Sequence, residues 1–187
     1  MTALTIAIGV DVGQQVDPTA VAVAEVTAQV HADRAEDRYV IRHLERLPLG
    51  TPYPDVATRV TAIVETLRAR TPHVALYLDA TGVGRPLMDL LTQGGTALHA
   101  FYFIAGGKRT VRPDGSIALG KGWMVSRLQT LVQTGRLSLP QTAEARALAA
   151  ELLTYEIRVS RTGRDTFGAF AHGTHDDLVT AVGLSVL

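Results

Sequence analysis

The spacing of apolar residues changes character along this chain, and the changes mark its elements. Thr5 to Gly13 reads Thr-Ile-Ala-Ile-Gly-Val-Asp-Val-Gly, an almost unbroken apolar run holding one carboxylate. Such a run is expected of a strand buried on both faces of a sheet. Asp17-Pro18-Thr19 marks a turn, and Ala20 to Val26 resumes as a second strand. Arg38 to Leu47 alternates with more polar residues, as a strand towards an edge does. The charged stretch from Ala28 to Asp37 between them reads as a hairpin tip, so the three strands form an antiparallel meander. The period then turns helical. After Pro52-Tyr53-Pro54-Asp55, the residues Val56, Val60, Ile63, Val64 and Leu67 recur at intervals of three and four, with Arg59, Glu65 and Arg68 towards water, and Thr71-Pro72 closes the helix. Val74 to Leu78 is apolar throughout and follows a helix, which suits a parallel neighbour of the first strand reached by a right-handed crossover.

The second half continues with a short helix over 86–91 and a strand over 97–104. Around Pro113-Asp114-Gly115-Ser116 the turn chemistry predicts a basic hairpin standing off the core. A helix begins at Gly122, with Met124, Leu128, Leu131 and Val132 as its buried stripe, and ends at Gly135. Residues 137–140 read as a turn, 142–153 as a helix, and 155–161 with 166–171 as a hairpin. The last helix opens at Thr174 and turns Leu178, Val179, Val182 and Leu184 inward. No repeat or linker interrupts the 187 residues, so a single domain over 1–187 is expected. The predicted class is α/β: a mixed sheet of three antiparallel strands followed by parallel strands, flanked by helices, with an added basic β-hairpin.

Composition narrows the chemistry by exclusion. The absence of cysteine removes disulfides and thiolate metal sites. No apolar run approaches the roughly 18 residues of a membrane span. Met1-Thr2-Ala3-Leu4 lacks the basic region of a signal peptide, which is compatible with a cytosolic setting. The net charge is zero, yet the stretch 105–136 carries six basic side chains and one acidic one. A local basic footprint of this kind suits a polyanion. Gly106-Gly107-Lys108-Arg109-Thr110 is not a Walker A motif, because Arg109 follows the lysine and Tyr102 stands where a glycine is needed.

Acids recur where apolar elements stop. Asp11 interrupts the first strand, Asp79 follows Val74-Ala75-Leu76-Tyr77-Leu78, and His175-Asp176-Asp177 leads into the last helix. Each has a bland role available. Asp11 can close a turn with Gly13, Asp79 can cap the helix that Thr81-Gly82-Val83-Gly84 introduces, and Thr174 with Asp177 resembles a capping box. Together they read as one site, because an ionised carboxylate inside a sheet costs several kcal/mol unless a cation or strong hydrogen bonds compensate it. Hard divalent cations take such oxygen ligands without any need for histidine or cysteine.

Gly-Val-Asp-Val-Gly followed by Asp-Pro-Thr-Ala-Val, then Leu-Asp-Ala-Thr-Gly-Val-Gly, Leu-Gln-Thr-Leu-Val-Gln-Thr-Gly-Arg-Leu-Ser-Leu-Pro, Leu-Ala-Ala-Glu-Leu-Leu-Thr-Tyr-Glu and Gly-Thr-His-Asp-Asp-Leu-Val-Thr-Ala-Val, spans nearly the whole chain. The series resembles the C-terminal nuclease domain of phage terminase large subunits, in the ribonuclease H-like superfamily. The resemblance implies a metal-dependent DNA endonuclease that cuts concatemeric viral DNA during packaging in the cytoplasm of the infected bacterial host. Two Mg²⁺ or Mn²⁺ ions would be held by Asp11, Asp79 and one or both of Asp176 and Asp177. His175 would transfer a proton or only shape the helix start. Lys108, Arg109, Arg112, Lys121 and Arg127 would contact the phosphates of double-stranded DNA, while Arg85 would contact phosphate or pair with Asp89. The implied partners are a packaging ATPase domain, small terminase and portal, and no membrane. Three other readings compete. A Holliday-junction resolvase would share the fold and acids. A DNA-binding or motor-docking module would use its acids only as caps. Sugar-kinase or actin-like ATPases share the Gly-Val-Asp-Val-Gly pattern but need two such domains.

Overall fold

A computed structural model describes the chain except for residues 1–3, 14, 32–33, 155, 160–164 and 169–175. Among the described residues the sheet begins with β1 (Thr5–Asp11), β2 (Ala20–His31) and β3 (Arg34–Arg46), paired antiparallel in that order. The meander is longer than the apolar pattern alone indicates. Ala28 pairs with Asp37 and Gln29 with Glu36, so the charged stretch assigned to the tip is largely ladder. Backbone pairing needs no apolar side chains, and the solvated end of a hairpin tolerates charge.

Helix α1 (Tyr53–Arg68) crosses to β4 (Val74–Asp79), which pairs parallel to β1. Helix α2 (Gly84–Gln93) then leads to β5 (His99–Ile104), parallel to β4. Next come β6 (Arg109–Val111) and β7 (Ile117–Gly120). This hairpin does not stand off the core. β7 is buried along its length and pairs parallel with β5, leaving exposed β6 as the sheet edge. The run Ile117-Ala118-Leu119 carries the reason, since three successive apolar residues are better buried than left on a projecting ribbon.

Helix α3 (Lys121–Gln133) buries Met124, Leu128 and Leu131, but Val132 is 54% exposed and not part of the stripe. Gly135 ends it with a positive φ of 66°. Leu137 and Ser138, expected as turn, form a short strand β8 beside β3. Helix α4 (Ala143–Thr154), the antiparallel pair β9 (Glu156–Val159) and β10 (Asp165–Gly168), and helix α5 (Asp177–Ser185) complete the chain. The main sheet runs β6-β7-β5-β4-β1-β2-β3-β8.

Alternation along β2 sorts the two faces. Val21 and Val23 join Ile8, Val10, Val56, Val60, Leu76 and Leu87 in the layer under α1 and α2. Ala20, Ala22 and Ala24 face Leu128, Leu148, Leu178 and Val182 from α3, α4 and α5. The alanines let α5 come close, and Gly9 of β1 lets it come closer still: a Cβ there would overlap the carbonyl oxygen of Ala181. This close approach of α5 to β1 positions the site. Among the described residues no helix is long and apolar enough to cross a membrane.

Candidate active site

Asp11 ends β1 and Asp79 ends β4. Because the strands are parallel, with Val10 opposite Leu78, the two acids leave the sheet side by side at its carboxyl edge, the usual place for sites in open α/β sheets. Their carboxyl groups lie close enough for the charge of each to act on the other. Asp176 stands at the N-cap of α5 yet its side chain caps no backbone N–H. It lines, with Asp11 and Asp79, one pocket of about 430 Å³.

The electrostatics match the geometry. Burial raises the Asp11 carboxyl well above the usual carboxylate range, the negative charges of Asp79 and Asp176 raise it further, and Lys121 opposes them. Burial also raises Asp79, against hydrogen bonds from Thr81 and the charge of Lys121. The Thr81 backbone N–H donates to Asp79 Oδ1 at 2.8 Å, and Thr81 Oγ1 accepts from the Phe103 N–H at 2.8 Å, fixing the loop to β5. Gly84 sits so tightly beneath this loop that a Cβ would overlap the Asp79 carbonyl oxygen.

The structure separates the two acids that the sequence left as a pair. Asp177 is only 2% exposed and turns away from the pocket to Arg46, whose Nε donates to Oδ2 at 2.6 Å and Nη2 to Oδ1 at 3.5 Å. Arg46 also pairs with Glu151, whose other oxygen accepts from the Val179 N–H at 3.1 Å. Asp177 is thus tied through Arg46 to β3 and α4, while Asp176 lines the pocket.

The basic residues divide as well. Lys121 lines the pocket, its Nζ 3.4 Å from Asp176 Oδ2 and 5.5 Å above the Phe103 ring. Lys108 and Arg109 are exposed, and Arg112 lies 4.7 Å above the Tyr102 ring. Arg127 is committed elsewhere: it donates to the Val186 carbonyl and to the Tyr39 hydroxyl at 2.7 Å, and it stacks on Tyr39 and Trp123. It therefore ties α3 to the C-terminal end of the fold and is not placed as a phosphate contact. Arg85 is exposed, does not line the pocket and makes no ion pair with Asp89 among the described residues. His175 lies outside the described residues. Two residues of the site region were not singled out from sequence. Asp17 lines the same pocket, and its place in the turn after a strand ending in an acid was the available signal. Arg46 gave none.

Among the described residues no three carboxylate or imidazole groups form a ready-made coordination sphere for one metal ion. Asp11 and Asp79 together with Asp176 nonetheless fit a hard cation of the Mg²⁺ type, which binds one or two carboxylates and keeps its remaining sites for water and substrate phosphate. The excess of negative charge in the pocket is the observation that favours such a cation.

A mixed sheet of this order flanked by helices is the fold of phage large terminase nuclease domains, and the chain has that fold. It superposes on the large terminase nuclease from thermophilic phage G20c with bound magnesium at a TM-score of 0.70 and 20% identity, covering 99% of this chain and 82% of that one. With the Thermus phage P74-26 large terminase nuclease domain the TM-score is 0.66 at 19% identity, over 97% and 78%. The HK97 bacteriophage large terminase matches at 0.65 and 14% identity, over 99% of this chain and 39% of that one. No protein-family model and no curated protein matches the sequence.

Proposed function

We propose that this chain is the nuclease domain of a phage large terminase, a metal-dependent endonuclease that cuts concatemeric double-stranded DNA during genome packaging with little sequence specificity. The observation that carries the reading is the parallel register that sets Asp11 beside Asp79, with Asp176 across the same pocket. These three carboxylates would hold Mg²⁺ or Mn²⁺, and two such ions would acidify the attacking water and neutralise charge on the leaving oxygen. The chain's own contribution is positional. Asp11 and Asp79 present their carboxyls side by side, the Arg46 anchor holds α5 so that Asp176 faces them, and Asp177 is held out of ligation by its ion pair. Lys108, Arg109 and Arg112 flank the sheet edge and contact the DNA backbone, which positions the duplex without reading its sequence. As a packaging nuclease it works with an ATPase motor domain, small terminase and portal in the host cytoplasm.

Plasmid digestion in Mn²⁺ tests this. The protein is expected to nick and linearise supercoiled DNA, and Asp11→Ala to lose nearly all cleavage while its circular dichroism is unchanged. Equal cutting by both proteins would end the proposal. Preference for four-way junctions over linear duplex would move the assignment to a resolvase.

A further inference from the structure

Lys121 stands where its own helix disfavours it. It is the first residue of α3, and a cation at a helix N-terminus works against the macrodipole. Gly120 before it offers no side-chain cap to offset this. The ammonium is neither free in solvent nor laid along the basic edge. It is partly buried in the pocket, at 29% exposure, with Nζ 3.4 Å from Asp176 Oδ2, and the Phe103 ring flanks it at 5.5 Å. Its charge acts on Asp11 and on Asp79 as well, opposing in both cases the rise that burial produces. One cation therefore faces three of the four acids that line the pocket, Asp11, Asp79 and Asp176.

We propose that Lys121 is a built-in stand-in for the divalent ion: a positioning residue whose ammonium holds Asp11, Asp79 and Asp176 together in the metal-free protein and competes with the incoming ion for them. The inference rests on the metal reading given above. Three acids converging at the end of a buried sheet repel one another, and a monovalent tether within the fold limits that repulsion before any ion arrives. The same charge then repels the ion. A unit charge a few ångströms from a divalent cation, screened nearly as in water, changes binding on the order of ten-fold. The result is a site that folds without metal and takes it with moderated affinity.

Lys121→Met and Lys121→Arg are compared with the wild type by thermal melting in EDTA and by calorimetric titration with MnCl₂. Lys121→Met is expected to melt several degrees lower in EDTA, Lys121→Arg to stay near wild type, and Lys121→Met to bind Mn²⁺ on the order of ten-fold more tightly. The helix dipole alone predicts the opposite sign, a small rise in melting temperature on losing the lysine. A melting temperature for Lys121→Met at or above wild type overturns the proposal. So does unchanged Mn²⁺ affinity with only DNA binding weakened, which would make Lys121 a phosphate contact. If Lys121→Met does not fold, the double variant Lys121→Met with Asp176→Asn, which removes one charge of each sign, is expected to fold and melt near wild type, and its failure also overturns the proposal. A wild-type protein that takes up no Mn²⁺ in either measurement defeats the metal reading, and the EDTA comparison still decides the role of Lys121.

Discussion

Replacing Arg46 with Met tests whether Asp177 is an anchor or a ligand. The guanidinium is the counter-charge shared by Asp177 at 2% exposure and Glu151 at 7%. Removing one partner of a buried pair costs about 3–5 kcal/mol, because the remaining charge stays buried without compensation. Arg46 itself is 29% exposed, so water can reach the vacated space, and Glu151 keeps the Val179 N–H at 3.1 Å. Both facts place the loss at the low end, about 3 kcal/mol. For a chain of this size each kcal/mol shifts the melting temperature by about 2–4 °C, so a fall of about 6–12 °C is expected. Melting and urea denaturation in EDTA at neutral pH measure it. Acidification should narrow the deficit, since protonating an orphaned carboxyl removes its charge. The triple variant Arg46→Met, Glu151→Gln, Asp177→Asn should recover most of the stability, because it removes the whole network and leaves no buried charge unpaired. A loss below about 1 kcal/mol in Arg46→Met, the size of an exposed pair, together with loss of Mn²⁺ binding in Asp177→Asn, would refute the anchor and return Asp177 to the site.

Four further outcomes follow from the same geometry. Asp11→Asn should melt higher than wild type in EDTA at neutral pH and lose the stabilisation that Mn²⁺ confers. A carboxyl raised in the folded state favours folding below its unfolded pKa and loses that contribution as pH rises through its folded value, so the gain should vanish on acidification. Glu45 runs the other way: two hydrogen bonds from Arg59 and the His43 ring 3.3 Å away outweigh burial and hold it at about 2. Its contribution, about 1 kcal/mol given the half-exposed arginine, is present above the ordinary carboxylate range and lost as pH falls towards 2. Glu45→Gln should therefore flatten the acid limb of a stability-against-pH curve. Gly9→Ala should cost about 1–3 kcal/mol, read by urea denaturation, because the new Cβ meets the backbone of α5 and one of the two elements must move. Changing Lys108, Arg109 and Arg112 to Ala should weaken duplex binding and lower the slope of log affinity against log salt by up to about 3, with Mn²⁺ binding untouched.

The strand-end acids were legible in the sequence because a sheet announces itself by uniform apolarity, and a carboxylate at the end of such a run has no cheap place to go. Asp11 and Asp79 needed only the parallel crossover to come together, and the helix between their strands implied it. Asp176 and Asp177 could not be told apart for an equally physical reason. Asp176 is the N-cap of α5 and Asp177 its first residue, so which of them faces the pocket depends on how the helix enters and is rolled, a helical residue turning about 100° per step. Helix α5 carries no polar stripe to reveal its roll, since every residue from Asp177 to Ser185 is buried. The roll is instead fixed from outside, by the gap that Gly9 opens against Ala181 and by an arginine 131 positions away that accepts Asp177. Neither signal is local, and Arg46 at the end of a strand with polar alternation reads as an ordinary solvated cation. Arg127 gives the converse case, its charge suggesting DNA in the sequence while in the fold it bonds Tyr39 and Val186, far off along the chain. Where the partner of a charged residue is distant in sequence, composition tells only that a partner is needed. The assignment of ligand and anchor within Asp176-Asp177 is accordingly where the site reading is most exposed to experiment, and Asp176→Asn should abolish Mn²⁺-induced stabilisation while Asp177→Asn lowers stability and leaves that increment in place.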